Sequence, residues 1–249
     1  TYSSYYHYLE SRFHLKNSEP DKAAVSLEKA LETDPDSFIL NRDLIRIHLV
    51  LKNKAKAIAL AEQLIEKKPD HVDSLLMFIQ LKKDDIEEKQ LVDILERILT
   101  LDPTNKETFL RLGRIYMDQN DKDRALELFR QMVEKFPEYY VAWYYLGEIQ
   151  FLDKKYRAAE TAFLKTIELE PELLEPRFQL VNVYNALKIR DRYTRIKALY
   201  NQILEQDPDN HRALLGMALT LYKSGSKKKA QKRFATLAQD IDKDTTLLM

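Results

Sequence analysis

Three side chains near the start of the chain could do chemistry together. His7, Glu10 and His14 are spaced i, i+3 and i+7, which puts them on one face of a helix, and His48 follows His14 by 34 residues. Two imidazoles and a carboxylate can ligate zinc. The same positions would also face the partner helix of a helical hairpin, where an imidazole stands in for an aromatic ring, and this second reading is adopted: no metal and no cofactor are expected. The chain has no cysteine, which rules out thiolate ligands, disulfides and a cysteine nucleophile. It holds no Gly-rich phosphate loop, no His-Glu-x-x-His pair, no serine elbow and no dinucleotide fingerprint. Catalysis has no visible home, and the chain reads as non-enzymatic.

Charge narrows the partners. Forty basic and forty acidic residues cancel among 249, so no global field draws the chain to nucleic acid or an anionic membrane. Nucleic-acid binding is not expected. One stretch departs from this balance: residues 186–233 carry twelve Lys and Arg, from Lys188 to Arg233, against Asp191, Glu205, Asp207 and Asp209, a local charge of +8. That stretch could dock an acidic protein or an anionic polymer, although a basic turn such as SGSKKKAQKR is also well accounted for by solvation alone. No apolar run approaches the roughly 20 residues of a membrane span, and the first residues, TYSSYYHYLE, lack the basic start and apolar core of a secretion signal. Direct membrane insertion is not expected.

The elements that must position these residues are helices. Leu, Ala, Glu, Lys and Ile dominate, only four glycines and eight prolines occur, and strand-like alternation is nearly absent. A ruler then appears: Pro35, Pro69, Pro103, Pro137 and Pro171 are each 34 residues apart. At fixed offsets before them run a mostly small column (Ala23, Ala57, Leu91, Ala125, Ala159) and a second column (Leu27, Ala61, Leu95, Phe129, Phe163). A sixth unit ends at Pro208, 37 residues on, with the surplus expected around Leu187 to Tyr193; a seventh carries Ala230 and Phe234, with Asp242 in the proline's place.

This period, with Trp143, Leu146, Gly147, Ala159, Phe163 and Pro171 in the best-marked unit, resembles the tetratricopeptide repeat family. Repeats two and three depart from the pattern, because Ile45 and Ile79 replace the small residue of the first helix. The resemblance implies an all-α fold: an α-solenoid of antiparallel helix pairs, a right-handed superhelix forming one domain over 1–249. The repeats are expected at about 4–37, 38–71, 72–105, 106–139, 140–173, 174–210 and 211–244. Trp143 and Phe163 are expected to fill the space left by Gly147 and Ala159, so that Trp143→Ala would open a core cavity costing about 3–5 kcal/mol. Each proline should stop a second helix, and the Asp, Thr or Glu after it should start the next.

In this family the first helices line a concave groove that holds an extended peptide or a partner's helix. Two columns of this chain are expected to face it: Tyr8, Arg42, Tyr144 and Phe178 in one, and Arg12, Arg46, Gln80, Arg114, Glu148 and Asn182 in the other, with Tyr5 alongside. The N-terminal half is thus expected to present arginines beside tyrosines, and the C-terminal half to be aromatic, amide-bearing and apolar. Arginine forks fit carboxylates and aromatic platforms supply contact area, so the expected partner is a protein or peptide with acidic groups. The lysine and asparagine clamp with which some family members hold an acidic C-terminal tail is not matched, since Phe178 and Gly216 stand where Lys and Asn would be needed. The leading expectation is a protein-binding scaffold; the alternative is a regulatory or substrate-presenting domain of a larger enzyme such as a transferase. The opening repeat looks like those of bacterial envelope members, which points to periplasm, envelope or cytoplasm. The chain reads as a fragment of a longer repeat protein whose last helix reaches about Asp240. The apolar end Leu247, Leu248 and Met249 is a candidate surface for homo-oligomerisation.

Overall fold

The computed structural model describes the backbone of residues 2–246 and the side chains of residues 2–238; the expected apolar end at Leu247–Met249 lies outside the described residues. Among the described residues all the regular structure is α-helical, in two compact units, residues 1–108 and 109–249. Unit 1 carries α1 (Tyr2–Lys16), α2 (Pro20–Thr33), α3 (Phe38–Val50), α4 (Lys54–Lys67), α5 (Val72–Leu81) and α6 (Glu88–Leu101). α7 (Lys106–Asp118) begins in the first unit and continues into the second, followed by α8 (Lys122–Lys135), α9 (Tyr140–Leu152), α10 (Tyr156–Leu169), α11 (Glu175–Leu187), α12 (Arg192–Gln206), α13 (His211–Lys223) and α14 (Lys227–Thr246).

Each unit is a row of antiparallel helix pairs because no hairpin can bury both of its faces alone. In unit 1 the small residues Ala23 and Ala30 of α2 have no exposed surface and sit with Leu27 against Leu40, Leu44 and Ile47 of α3. In unit 2 a larger core runs from Ala159 and Phe163 through Leu180, Val183, Ile196 and Ile203 to Ala213 and Ala230. One column shows the stacking rule. Leu40 and Ile47, Ala142 and Ile149, and Ala213 and Thr220 are buried, each on the first helix of a repeat that has another before it. Their counterparts on α1, Tyr6 and Phe13, are each 62% exposed.

The turns hold several features that the pattern of apolar residues does not report. Between the first and second helix of a repeat, Ser18, Lys52, Asn120, Lys154 and Lys188 all take a left-handed backbone, and Gly225 does so in the last repeat. These positions form one column, missing only from the third repeat. There α5 has 10 residues where α3, α7, α9, α11 and α13 have 13, and the turn before α6 is longer. Between repeats, the N-cap falls two residues after the proline, or three after Pro171, rather than one. Asn105 and Asn210 accept from the backbone N–H of Thr108 and Ala213 at 3.0 Å, and His71 caps α5 through its ring nitrogen. The aspartate before Pro103 closes that turn, its Oδ1 accepting from the Thr104 hydroxyl at 2.6 Å and backbone N–H at 3.0 Å.

In the sixth repeat the 34-residue spacing still holds at Arg177 and Lys188, and the buried Ile196 and Tyr200 of α12 follow Ala159 and Phe163 by 37. Two further expectations are corrected. The last helix does not stop near Asp240 but runs to Thr246. Trp143 is not a core filler. It is partly exposed, and its indole N–H donates to the carbonyl of Pro137 at 2.8 Å. Asn41 occupies the same repeat position and donates to Pro35 at 3.1 Å, and Arg177, again the same position, donates to Leu173 at 2.7 Å. At these three positions the side chain ties the incoming link to the next helix, whereas Leu75 and Phe109 of the same column are buried, and Phe163, with no exposed surface, fills the core.

Candidate ligand groove on the first helices

In unit 1 the first helices α1, α3 and α5 carry most of the expected site residues. Tyr5 and Tyr8 line a depression of about 270 Å³ closed by Ser37, Ile39 and Leu40. Arg42, Arg46 and Gln80 line a second depression of about 470 Å³ between α3 and α5, with Phe38, Ile45, Leu49 and Met77 supplying apolar wall. Arg12 is exposed on α1 and lines neither.

The two arginines of α3 differ in what they can offer. Arg42 donates Nε and Nη2 to Oδ1 of Asp43 at 3.0 and 2.9 Å, and its guanidinium lies over the Phe38 ring. Asp43 is a buried carboxylate, so this pairing satisfies a charge that burial would otherwise penalise. Arg46 is 3.9 Å from the same oxygen and its side chain is 68% exposed. The expected pair of open forks is thus one structural arginine and one available one. Asp73, also on this wall, is exposed and adds an acidic group that sequence columns did not place there.

In unit 2 the expected residues enter one polar chain across α9, α11 and α13. The Tyr144 hydroxyl donates to Oε1 of Glu148 at 3.0 Å; Asn182 donates to Oε1 of Gln179 at 3.1 Å; Gln179 reaches Glu175 at 3.5 Å; and Arg212 donates to Oε2 of Glu175 at 2.7 Å. Burial pushes the Glu148 carboxyl above the usual carboxylate range; the Tyr144 hydroxyl opposes the shift, the nearby Glu175 charge adds to it, and Arg114 opposes it. Burial likewise pushes Tyr144 up to about 12. Arg114 donates through Nε to the Tyr145 hydroxyl at 2.9 Å and stands in this unit, not with the arginines of α3.

Phe178 does not face out. It is 6% exposed, packs edge-on against Tyr200, and is covered by the Arg212 guanidinium 3.8 Å from its ring centre. Sequence columns missed Glu175, Gln179 and Arg212, which complete the polar chain; the signal was their spacing relative to Asn182 and Tyr144, visible only once α11 and α13 are placed beside α9.

The histidines near the start do not converge. His7 Nδ1 lies 3.1 Å from Glu10 and His14 Nδ1 lies 2.8 Å from Glu19, while His48 is buried on α3. Among the described residues no group of three His, Asp or Glu side chains could hold a metal ion, and no helix is long and apolar enough to cross a membrane.

Stacked antiparallel hairpins, with small residues opposite aromatic ones and side chains presented along the first helices, define a helical-repeat protein built to present a surface. Three family models match: the TPR domain of cytochrome c-type biogenesis protein H over residues 130–247, and tetratricopeptide repeat models over residues 14–77 and 106–149. The chain belongs to the tetratricopeptide repeat proteins. Over 141 residues it is 28% identical to interferon-induced protein with tetratricopeptide repeats 2 of Mus musculus, covering 55% of this chain and 30% of that protein. Over 129 residues it is 27% identical to anaphase-promoting complex subunit 7 of Dictyostelium discoideum, covering 51% and 22%. The chain spans less than a third of the length of these curated relatives. Among solved structures it resembles YrrB, described as a TPR protein with an unusual peptide-binding site. The TM-score is 0.60 at 17% identity, over 77% of this chain and 97% of that one, a likeness of fold.

Proposed function

We propose that this chain is a non-enzymatic scaffold that holds an acidic, extended segment of a partner protein along its first helices. The observation that carries the reading is the wall between α3 and α5, where the exposed Arg46 and Gln80 stand beside Ile45, Leu49 and Met77. A carboxylate engages the guanidinium fork while an adjacent apolar side chain enters the depression. Asp73 on the same wall selects against a run of pure acid and favours a segment that alternates acidic and apolar residues. The peptide-binding site named for YrrB and the biogenesis protein matched by residues 130–247 both support a role in holding or assembling other proteins.

Selection from a random peptide library tests the proposal, with the parent and Arg46→Glu as paired targets. Arg46 is the informative position because Arg42→Glu would also strip Asp43 of its partner. Enrichment of acidic sequences with apolar neighbours on the parent, lost on a folded Arg46→Glu variant, is expected. Selected sequences without acidic residues, or equal recovery on both targets, would overturn it.

A further inference from the structure

The basic stretch 186–233 is resolved by the structure into two populations. Part of it is already engaged: Arg195 donates to Asp191 at 2.8 Å and Glu160 at 3.2 Å, Arg212 is bound to Glu175, and Arg192 lies over Tyr193. Four others, Lys197 of α12 and Lys229, Lys232 and Arg233 of α14, make no ion pair among the described residues and converge on one groove of about 740 Å³. Lys229, Lys232 and Arg233 are spaced i, i+3 and i+4, so they point from one face of α14 toward Lys197 across the opening.

The floor of this groove is apolar. Leu214, Met217 and Leu221 rise from α13 and Leu237 from α14, and among the described residues the lining holds a single carboxylate, Asp209. We infer that this groove, on the side of the second helices, is a separate docking site for an acidic amphipathic helix of a partner protein. The apolar stripe of such a helix covers the leucine and methionine floor while glutamates or aspartates along its edges meet the basic rim. Charge complementarity selects an acidic occupant, and the floor selects a protein over a nucleic acid, because phosphates gain nothing from Leu and Met and the lining has no aromatic ring on which bases could stack. The site is independent of the α3 and α5 wall and shares no residue with it.

The test uses a synthetic amphipathic helix with leucines at i, i+4 and i+7 and glutamates flanking them, fluorescently labelled, titrated with the whole chain at rising salt. Binding that weakens with salt is expected. Lys229→Glu/Lys232→Glu should weaken it about tenfold or more, whereas Lys188→Glu/Arg190→Glu, which makes the same charge change on exposed residues outside the groove, should leave it within about twofold. Replacing the probe's leucines by serine should abolish binding. Circular dichroism confirms that each variant keeps its helices. Absence of binding, equal weakening by both charge reversals, retained binding of the serine probe, or displacement of the leucine probe by single-stranded DNA as readily as by unlabelled leucine probe would overturn the inference.

Discussion

Gly147 of α9 and the ring of Phe163 on α10 are in such close apposition that a Cβ built on the glycine would stand 2.8 Å from Cε1 and 2.9 Å from Cδ1. Phe129 stands against Gly113 in the same way one repeat earlier. In the second repeat the sizes are exchanged: Ile45 occupies the glycine column and Ala61 the aromatic one, both buried. The repeat that looks degenerate in sequence therefore conserves combined volume across the hairpin while losing the glycine.

That apposition makes Gly147→Ala a test in which two effects oppose each other. Helix propensity favours alanine by about 1 kcal/mol. Overpacking a fully buried phenylalanine costs about 1–3 kcal/mol. The clash should win, lowering the thermal midpoint, and adding Phe163→Leu should recover part of the loss. A double-mutant cycle read by thermal denaturation would show the coupling; additive effects would mean the ring moves aside freely.

Trp143→Phe should cost about 0.5–1.5 kcal/mol, the worth of its hydrogen bond to Pro137, and not the larger penalty of an emptied core position. Chemical denaturation distinguishes the two ranges. A loss above about 3 kcal/mol would return the indole to the role of a core filler.

Lys154 sits at φ 59°, a conformation in which a Cβ crowds the following carbonyl. Lys154→Gly should stabilise unit 2 by up to about 1 kcal/mol, as the Gly225 turn of the last repeat already suggests, while Lys154→Ala should not. Paired denaturation curves of the two variants decide it.

Glu148 gives stability a pH dependence of defined sign. Because burial raises its folded pKa, the folded chain keeps the proton over a range in which the unfolded chain has already released it. Stability from this group therefore falls as pH rises through and beyond the ordinary carboxylate range, and the loss is complete above the folded pKa. Glu148→Gln keeps an acceptor for Tyr144 but cannot ionise. Its thermal midpoint should exceed the parent's near neutral pH and match it below the ordinary carboxylate range. A gain of equal size at both pH values would assign the effect to packing.

The sequence by itself determined what recurs. The 34-residue spacing of the prolines located the links, and the columns through Ala159 and Phe163 located the hairpin contacts, because every repeat solves the same packing problem with its nearest neighbours. It also put Tyr5, Tyr8, Arg42, Arg46 and Gln80 on the helices that line the unit 1 depressions. What only the tertiary structure decided is which of those side chains is free. Arg42 and Arg46 are the same residue type one helical turn apart, yet the buried Asp43 takes two donors of the first and leaves the second exposed. Phe178 belongs to an outward column by counting but lies beneath Arg212 of α13. The four cations of the α12 to α14 groove, which form no ion pair among the described residues, are likewise indistinguishable in sequence from the paired ones beside them. Periodicity is a property of local spacing, whereas burial, and pairings such as Arg195 with Glu160 and Arg212 with Glu175, depend on side chains about 30 or more residues away that only the packed helices bring within hydrogen-bonding distance.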